Sequence, residues 1–133
     1  QIPKAVEYVQ IEQGVTAIPI KAFYECHALT RVDIPNTVTT IGDRAFFKCI
    51  SLESLKLPKS LTIIEDAAFF NSGLTQIEIP DSVSSIGDAS FQHCQSLRRF
   101  QFPANAELGM GSRVFNRCDN LTTVDIPNGI TSI

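Results

Sequence analysis

Four residues in this sequence carry a thiol, and two of them stand beside a histidine, as Cys26-His27 and His93-Cys94. Thiolate and imidazole together are zinc ligands, and a thiol next to a base is the usual arrangement of a cysteine nucleophile. Three carboxylates, Asp43, Asp66 and Asp88, recur in "IGDRAFF", "IEDAAFF" and "IGDASFQ". A column of such oxygens suits a hard cation such as calcium. Spacing decides whether any of this chemistry is real.

The spacing is periodic. Phe23, Phe46, Phe69, Phe91 and Phe115 are separated by 23, 23, 22 and 24 residues. The short step follows a deletion beside Gly73, and the long one an extra residue between Pro103 and Met110. Between these windows runs a second phrase: "LTRVDIPNTVTTI", "LESLKLPKSLTII", "LTQIEIPDSVSSI", "LRRFQFPANAELGM" and "LTTVDIPNGITSI", with a degenerate copy, "VEYVQIEQGVTAI", at 6–18. The chain divides into a half repeat at 1–17 and repeats at 18–40, 41–63, 64–85, 86–109 and 110–132. Periods of this size mark stacked supersecondary units.

Alternation such as Val32-Asp33-Ile34 predicts a short strand with one buried face. Pro35, Pro58, Pro80, Pro103 and Pro127 lack an N–H and stop each strand. Val38, Leu61, Val83 and Ile130, then Ile41, Ile64, Ile86 and Met110, return to the core, and A-F-x-x-C closes the coil as a turn or short helical piece. One unit cannot bury its apolar face alone. Stacked copies can, with parallel strands about 4.8 Å apart. The expected fold is an α/β solenoid in one domain.

The full pattern, C-x-x-L-x-x-I-x-I-P-x-x-V-x-x-I-x-x-x-A-F, resembles the BspA-like (treponemal-type) class of leucine-rich repeats across essentially the whole chain. The resemblance implies an arc with a parallel sheet on its concave side and short helical or 3-10 turns on its convex side. The Asn usual in such repeats is replaced by Thr37, Ser60, Ser82 and Gly129 and kept at Asn105. Hydroxyls there can bond to neighbouring loops. BspA-like proteins are commonly surface or secreted proteins of bacteria and some protists, so the resemblance implies a cell-surface or extracellular protein that adheres to host or matrix proteins. The alternative is a scaffold or linker subunit packed in a larger complex, inside an organelle or the cytoplasm.

The period also weighs the candidate sites. Cys26, Cys49, Cys94 and Cys118 share one repeat position, with Ser72 in the third repeat, as a column of small buried hydrophobes does. Adjacent rungs bring Cys26 near Cys49 and Cys94 near Cys118, within disulfide reach; free thiols are the expectation. The two Cys-His pairs lie three rungs apart, roughly 14 Å, too far to share a metal, and both histidines should face outward. Asp43, Asp66 and Asp88 precede a core Phe by three residues, which predicts capping of a short helical turn. No Ser-His-Asp set, carboxylate pair or phosphate loop stands apart from the period, so neither catalysis nor a cofactor or metal is expected. "NLT" at 120–122 matches a glycosylation sequon.

Two surfaces remain as candidates for a protein partner. Outward strand positions should form the concave face, among them Arg31, Asp33, Lys56, Glu78, Arg98, Arg99 and Gln101. Tyr24, Phe47 and Phe70 follow the core Phe and predict an aromatic column on the convex side, extended by Ile50. Contiguous exposed aromatic surface tends to mark docking; rings folded over the neighbouring turn are the plainer alternative.

A net charge of −3 with 19% charged residues offers no basic footprint for nucleic acid. No apolar run reaches the roughly 20 residues that span a bilayer. Neither end carries the polar cap a solenoid needs, so further repeats or a neighbouring subunit are expected.

Overall fold

The computed structural model describes residues 2–128. Gly129 at the Asn position, the core assignment of Ile130 and the end at Ile133 lie outside the described residues. The chain winds as a parallel solenoid of the expected period. Three-residue strands β1 (Tyr8–Gln10), β3 (Arg31–Asp33), β6 (Gln76–Glu78), β8 (Arg99–Gln101) and β10 (Thr123–Asp125) lie on one side of the coils. Two-residue strands β2 (Ala17–Ile18), β4 (Thr40–Ile41), β5 (Ile63–Ile64), β7 (Ser85–Ile86) and β9 (Gly109–Met110) lie on a second side. The second set forms one sheet in the order β2-β4-β5-β7-β9, whereas the first is split into β1-β3 and β6-β8-β10.

Inward ladders hold the coils together. Leu29, Leu52, Leu74 and Leu97 are fully buried, as are Val38, Leu61 and Val83. Phe23, Phe46, Phe69 and Phe91 stack with centroids 5.0–5.2 Å apart and nearly parallel planes. Near the last rungs Phe100 meets Phe91 and Phe115 edge-on at 5.2 and 4.7 Å, filling the longer coil. Each ring adds a large apolar area and a stacking term to the burial. Thr39, Thr62 and Ser84 add a hydroxyl ladder, each donating to the carbonyl one rung below.

The convex side differs from expectation: among the described residues it holds turns and no helix or 3-10 segment. In the first rung Ala22, Tyr24 and Cys26 donate to carbonyls three residues back, while Lys21, Phe23 and Glu25 donate to Asp43, Ala45 and Phe47 of the next rung. Lys21 and Glu25 have φ of 57° and 56°, and the same two positions are left-handed in every later rung, from Arg44 and Lys48 to Arg113 and Arg117. A helix cannot propagate through them. The turns give up helical bonds and gain rung-to-rung ones, which only a stacked chain can supply.

Candidate functional site

The sulfur column is structural. All four cysteines are free, three buried and Cys118 half-buried. Cys49, Cys94 and Cys118 donate their S–H to the carbonyls of Phe23, Phe69 and Phe91 at 3.0–3.1 Å. Ser72 Oγ lies 3.3 Å from Cys94 Sγ in the same column. Burial pushes the Cys49 and Cys94 thiols up to about 12 and raises Cys26 and Cys118 as well, so the reactive thiolate is suppressed at neutral pH. Among the described residues no three His, Cys, Asp or Glu side chains converge where they could hold a metal ion. His27 is exposed, but His93 is half-buried and packs its ring 5.3 Å from Phe70.

Asp66 and Asp88 bond between rungs, Asp43 pairs with the adjacent Arg44, and none of the three caps a helix. Asp66 Oδ1 accepts from the Asp88 N–H, and Asp88 Oδ1 from the Ser112 N–H, both at 2.8 Å. Gly87 and Gly111 leave that space free: a Cβ on either would stand 2.3 Å from the carboxylate oxygen. The hydroxyls at the Asn position act as expected in two rungs, Thr37 donating to Val15 and Ser60 to Val38, and Asn105 donates to Val83. Ser82 is the exception, its buried Oγ having no partner.

Arg31, Lys56, Glu78, Arg98 and Arg99 are exposed on the concave side, and Asp33 and Gln101 are half-buried. This surface forms a shallow groove from Thr30 to Gln101. Many of its charges are satisfied internally. Arg31 Nε donates to Asp33 Oδ1 at 3.1 Å, Tyr8 Oη donates to Asp33 Oδ2 at 2.7 Å, and the Arg31 guanidinium lies 4.8 Å over the Tyr8 ring. The Tyr8 hydroxyl, then Arg31, hold the Asp33 carboxyl below its ordinary range, and the Asp33 bond raises Tyr8. Arg99 pairs with Asp125 at 2.6 Å, and Gln101 donates to Glu78. Tyr8, which pairs with Arg31 across β1 and β3, is not among the concave residues expected from the sequence, although the copy at 6–18 aligns it with Arg31.

The second rung interrupts this face. Elsewhere the strand entry donates to the rung below, as Thr30 to Glu7, Thr75 to Glu53 and Arg98 to Thr75. Elsewhere the strand exit donates to the rung above, as Ile11 to Asp33, Ile79 to Gln101 and Phe102 to Asp125. Among the described residues no such bond runs from Glu53 to the first rung, from Ile34 to the second or from Leu57 to the third, and none accepts from the N–H groups of 53–57. Two sequence features coincide here. The inward residues are Leu55 and Leu57 where other rungs place mostly β-branched or aromatic residues, which suit a strand better. The following coil is one residue short at Gly73, whose Cβ would fall 2.1 Å from the Ile50 carbonyl oxygen.

On the convex side Tyr24, Phe47 and Phe70 stack at 4.9 and 4.8 Å with planes within 10°, and all three are half-buried. Lys4 and Lys21 sit 5.5 and 5.3 Å from the Tyr24 ring and Lys48 5.6 Å from Phe47. The column ends on His93, one position later than the Gln92 that simple counting selects. Ile50 stands 53% exposed beside it.

The model of the "BspA type Leucine rich repeat region" matches residues 16–133 in six copies. Among solved structures, a Treponema pallidum leucine-rich repeat protein is 33% identical over 94% of this chain, with a TM-score of 0.85. A leucine-rich cell-surface protein of Faecalibacterium prausnitzii is 27% identical over 94%, also with a TM-score of 0.85. A leucine-rich repeat protein of Bacteroides ovatus is 28% identical over 89%, with a TM-score of 0.67. The chain spans 60%, 34% and 37% of these proteins respectively. No curated protein matches it. With the repeat present along nearly the whole chain and the same solenoid in these structures, the chain belongs to the BspA-type leucine-rich repeat family.

Proposed function

We propose that this chain is a non-catalytic recognition module that binds a protein partner through its concave face. One observation carries the reading: the outward strand residues form a continuous groove of mixed charge that the fold does not need for its core. Solenoids present such surfaces for many shallow contacts rather than one deep pocket. The cell-surface F. prausnitzii relative supports an extracellular setting and an adhesive role. Among the described residues no helix is long and apolar enough to cross a membrane. Binding to immobilised extracellular-matrix proteins tests the reading. Arg31→Glu with Arg99→Glu should weaken capture at least tenfold, and Phe47→Ala with Phe70→Ala should leave it unchanged. The reverse pattern would favour the second reading, a scaffold subunit docked through the convex aromatic column. Exposed Ile50 and Ile20, at 53% and 64%, support that alternative.

A further inference from the structure

The concave junctions between rungs are tied unequally. Between the half repeat and the first rung, Thr30 and Arg31 donate their N–H groups to Glu7, Ile11 donates to Asp33, and so does the Tyr8 hydroxyl. Between the third and fourth rungs, Arg98 donates to Thr75, Ile79 to Gln101 and the Gln101 amide to Glu78. The second and third rungs keep the Gly73 N–H on Cys49 and the Thr75 N–H and hydroxyl on Glu53. The first and second rungs keep nothing there. Among the described residues no hydrogen bond or ion pair joins 26–37 to 50–59, and the gap is bounded by Cys49 Sγ on the Phe23 carbonyl and Ser60 Oγ on the Val38 carbonyl. The same two rungs are tied on both other sides. Lys21, Phe23 and Glu25 donate to Asp43, Ala45 and Phe47, and β4 pairs with β5. What fills the gap is apolar, with Val32, Leu55 and Leu57 buried in the common core. Such contact is non-directional and tolerates a change of angle that hydrogen bonds would resist.

Taking the concave-face reading as its basis, we propose that the junction of the first and second rungs is a hinge that sets the curvature of the groove. The half repeat and first rung form one body. The third to fifth rungs form the other, and the second rung moves with them through Thr75 and Glu53. The two bodies rock about the β4–β5 pairing and the convex turns, which stay bonded. Closing brings the Glu53 N–H to the Thr30 carbonyl and the Ile34 N–H to the Lys56 carbonyl, the equivalents of the Thr75–Glu53 and Ile11–Asp33 bonds at neighbouring junctions. Each such bond is worth little net of the water it replaces, so the open and closed arcs lie close in free energy. The groove crosses the hinge, with residues 30–33 on one body and 76–82 on the other. Its side-chain ties divide at the same place, Tyr8, Arg31 and Asp33 on one side and Gln101–Glu78 and Arg99–Asp125 on the other. A partner that bridges Arg31 and Arg99 therefore selects one curvature.

Residual dipolar couplings of the whole chain in a weakly aligning medium read the orientation of each body. Amides of 6–33 and of 75–125 should require two different alignment tensors, with relaxation dispersion on the μs–ms scale of hinge motions at 30–34 and 53–57. Thr30→Cys with Glu53→Cys, both exposed positions, tests the closed arc. In-register neighbours on paired parallel strands stand about 4.8 Å apart, within disulfide reach. Copper–phenanthroline should link them, each thiol losing a proton to water and an electron to the copper complex as the S–S bond forms. The linked chain should fit one tensor, and dithiothreitol should restore two. One tensor for the parent chain, a thiol pair that peptide mapping finds unlinked, or two tensors persisting in the linked chain overturns the proposal. The concave-face reading is decided separately, by the Arg31/Arg99 variant in the matrix assay. A single tensor together with lost capture removes the hinge and leaves concave recognition standing.

Discussion

The two sheets of this solenoid are made by the same coils, yet one runs unbroken through β2, β4, β5, β7 and β9 and the other stops at the second rung. In the unbroken sheet every described rung ends on an inward Ile or Met, and hydroxyls of Thr39, Thr62 and Ser84 add bonds to the backbone ladder. On the concave side the ladder is replaced at one rung by open donors. The contrast teaches that stability is carried by the inward columns and the unbroken sheet, which frees the concave side to vary.

The largest test of that division is at the Phe column. Phe69 is fully buried between Phe46 and Phe91, so Phe69→Ala should cost about 3–5 kcal/mol. Urea unfolding measures it, and a cost below about 1 kcal/mol would place the stability elsewhere. Gly73→Ala comes next. Its Cβ meets backbone, the Ile50 carbonyl, which cannot rotate away, and a loss of about 1–3 kcal/mol is expected. A neutral result would mean that the shortened coil is not held against Ile50.

The repeat made the coils, the inward columns and the outward concave residues legible, because each follows from period and alternation. Three features were not. The Asp66 and Asp88 carboxylates bond to the next rung, and a rule based on helix caps looks for partners in the wrong segment. Left-handed Lys21, Glu25 and their equivalents carry no glycine to announce them, so the pattern leaves a turn and a short helical piece equally open on the convex side. The unzipped second rung depends on how two coils meet, and Leu55, Leu57 and the Gly73 deletion hint at it only once the pairing is known.

The thiol column gives a pH test of intermediate size. Thiols near 12 in the fold against about 9 when free mean that the folded chain holds protons the unfolded chain has lost. Stability is therefore unaffected by these groups below about pH 9 and falls as pH rises from there towards 12. Alkylation followed by mass spectrometry should modify half-buried Cys118 first in the native protein, and Cys49 and Cys94 only on unfolding. Early modification of Cys49 would show that the first coils open more readily than their packing implies.

The smallest effect bears most directly on the comparison. If the concave sheet is open because Leu55 and Leu57 suit a strand poorly, Leu55→Val with Leu57→Ile should let the second rung pair. β-propensities differ by up to about 1 kcal/mol, and the smaller Val gives back some burial, so the net gain should be about 0.5 kcal/mol. Hydrogen exchange is the sharper readout. Amides 54–57 should exchange faster than those of β6 and β8 in the parent chain and slow towards them in the variant. Slow exchange at 54–57 in the parent chain would sink the idea that this rung is open. Fast exchange persisting in the variant would move the cause to the short coil at Gly73, where one missing residue, rather than side-chain preference, keeps the second and third rungs apart.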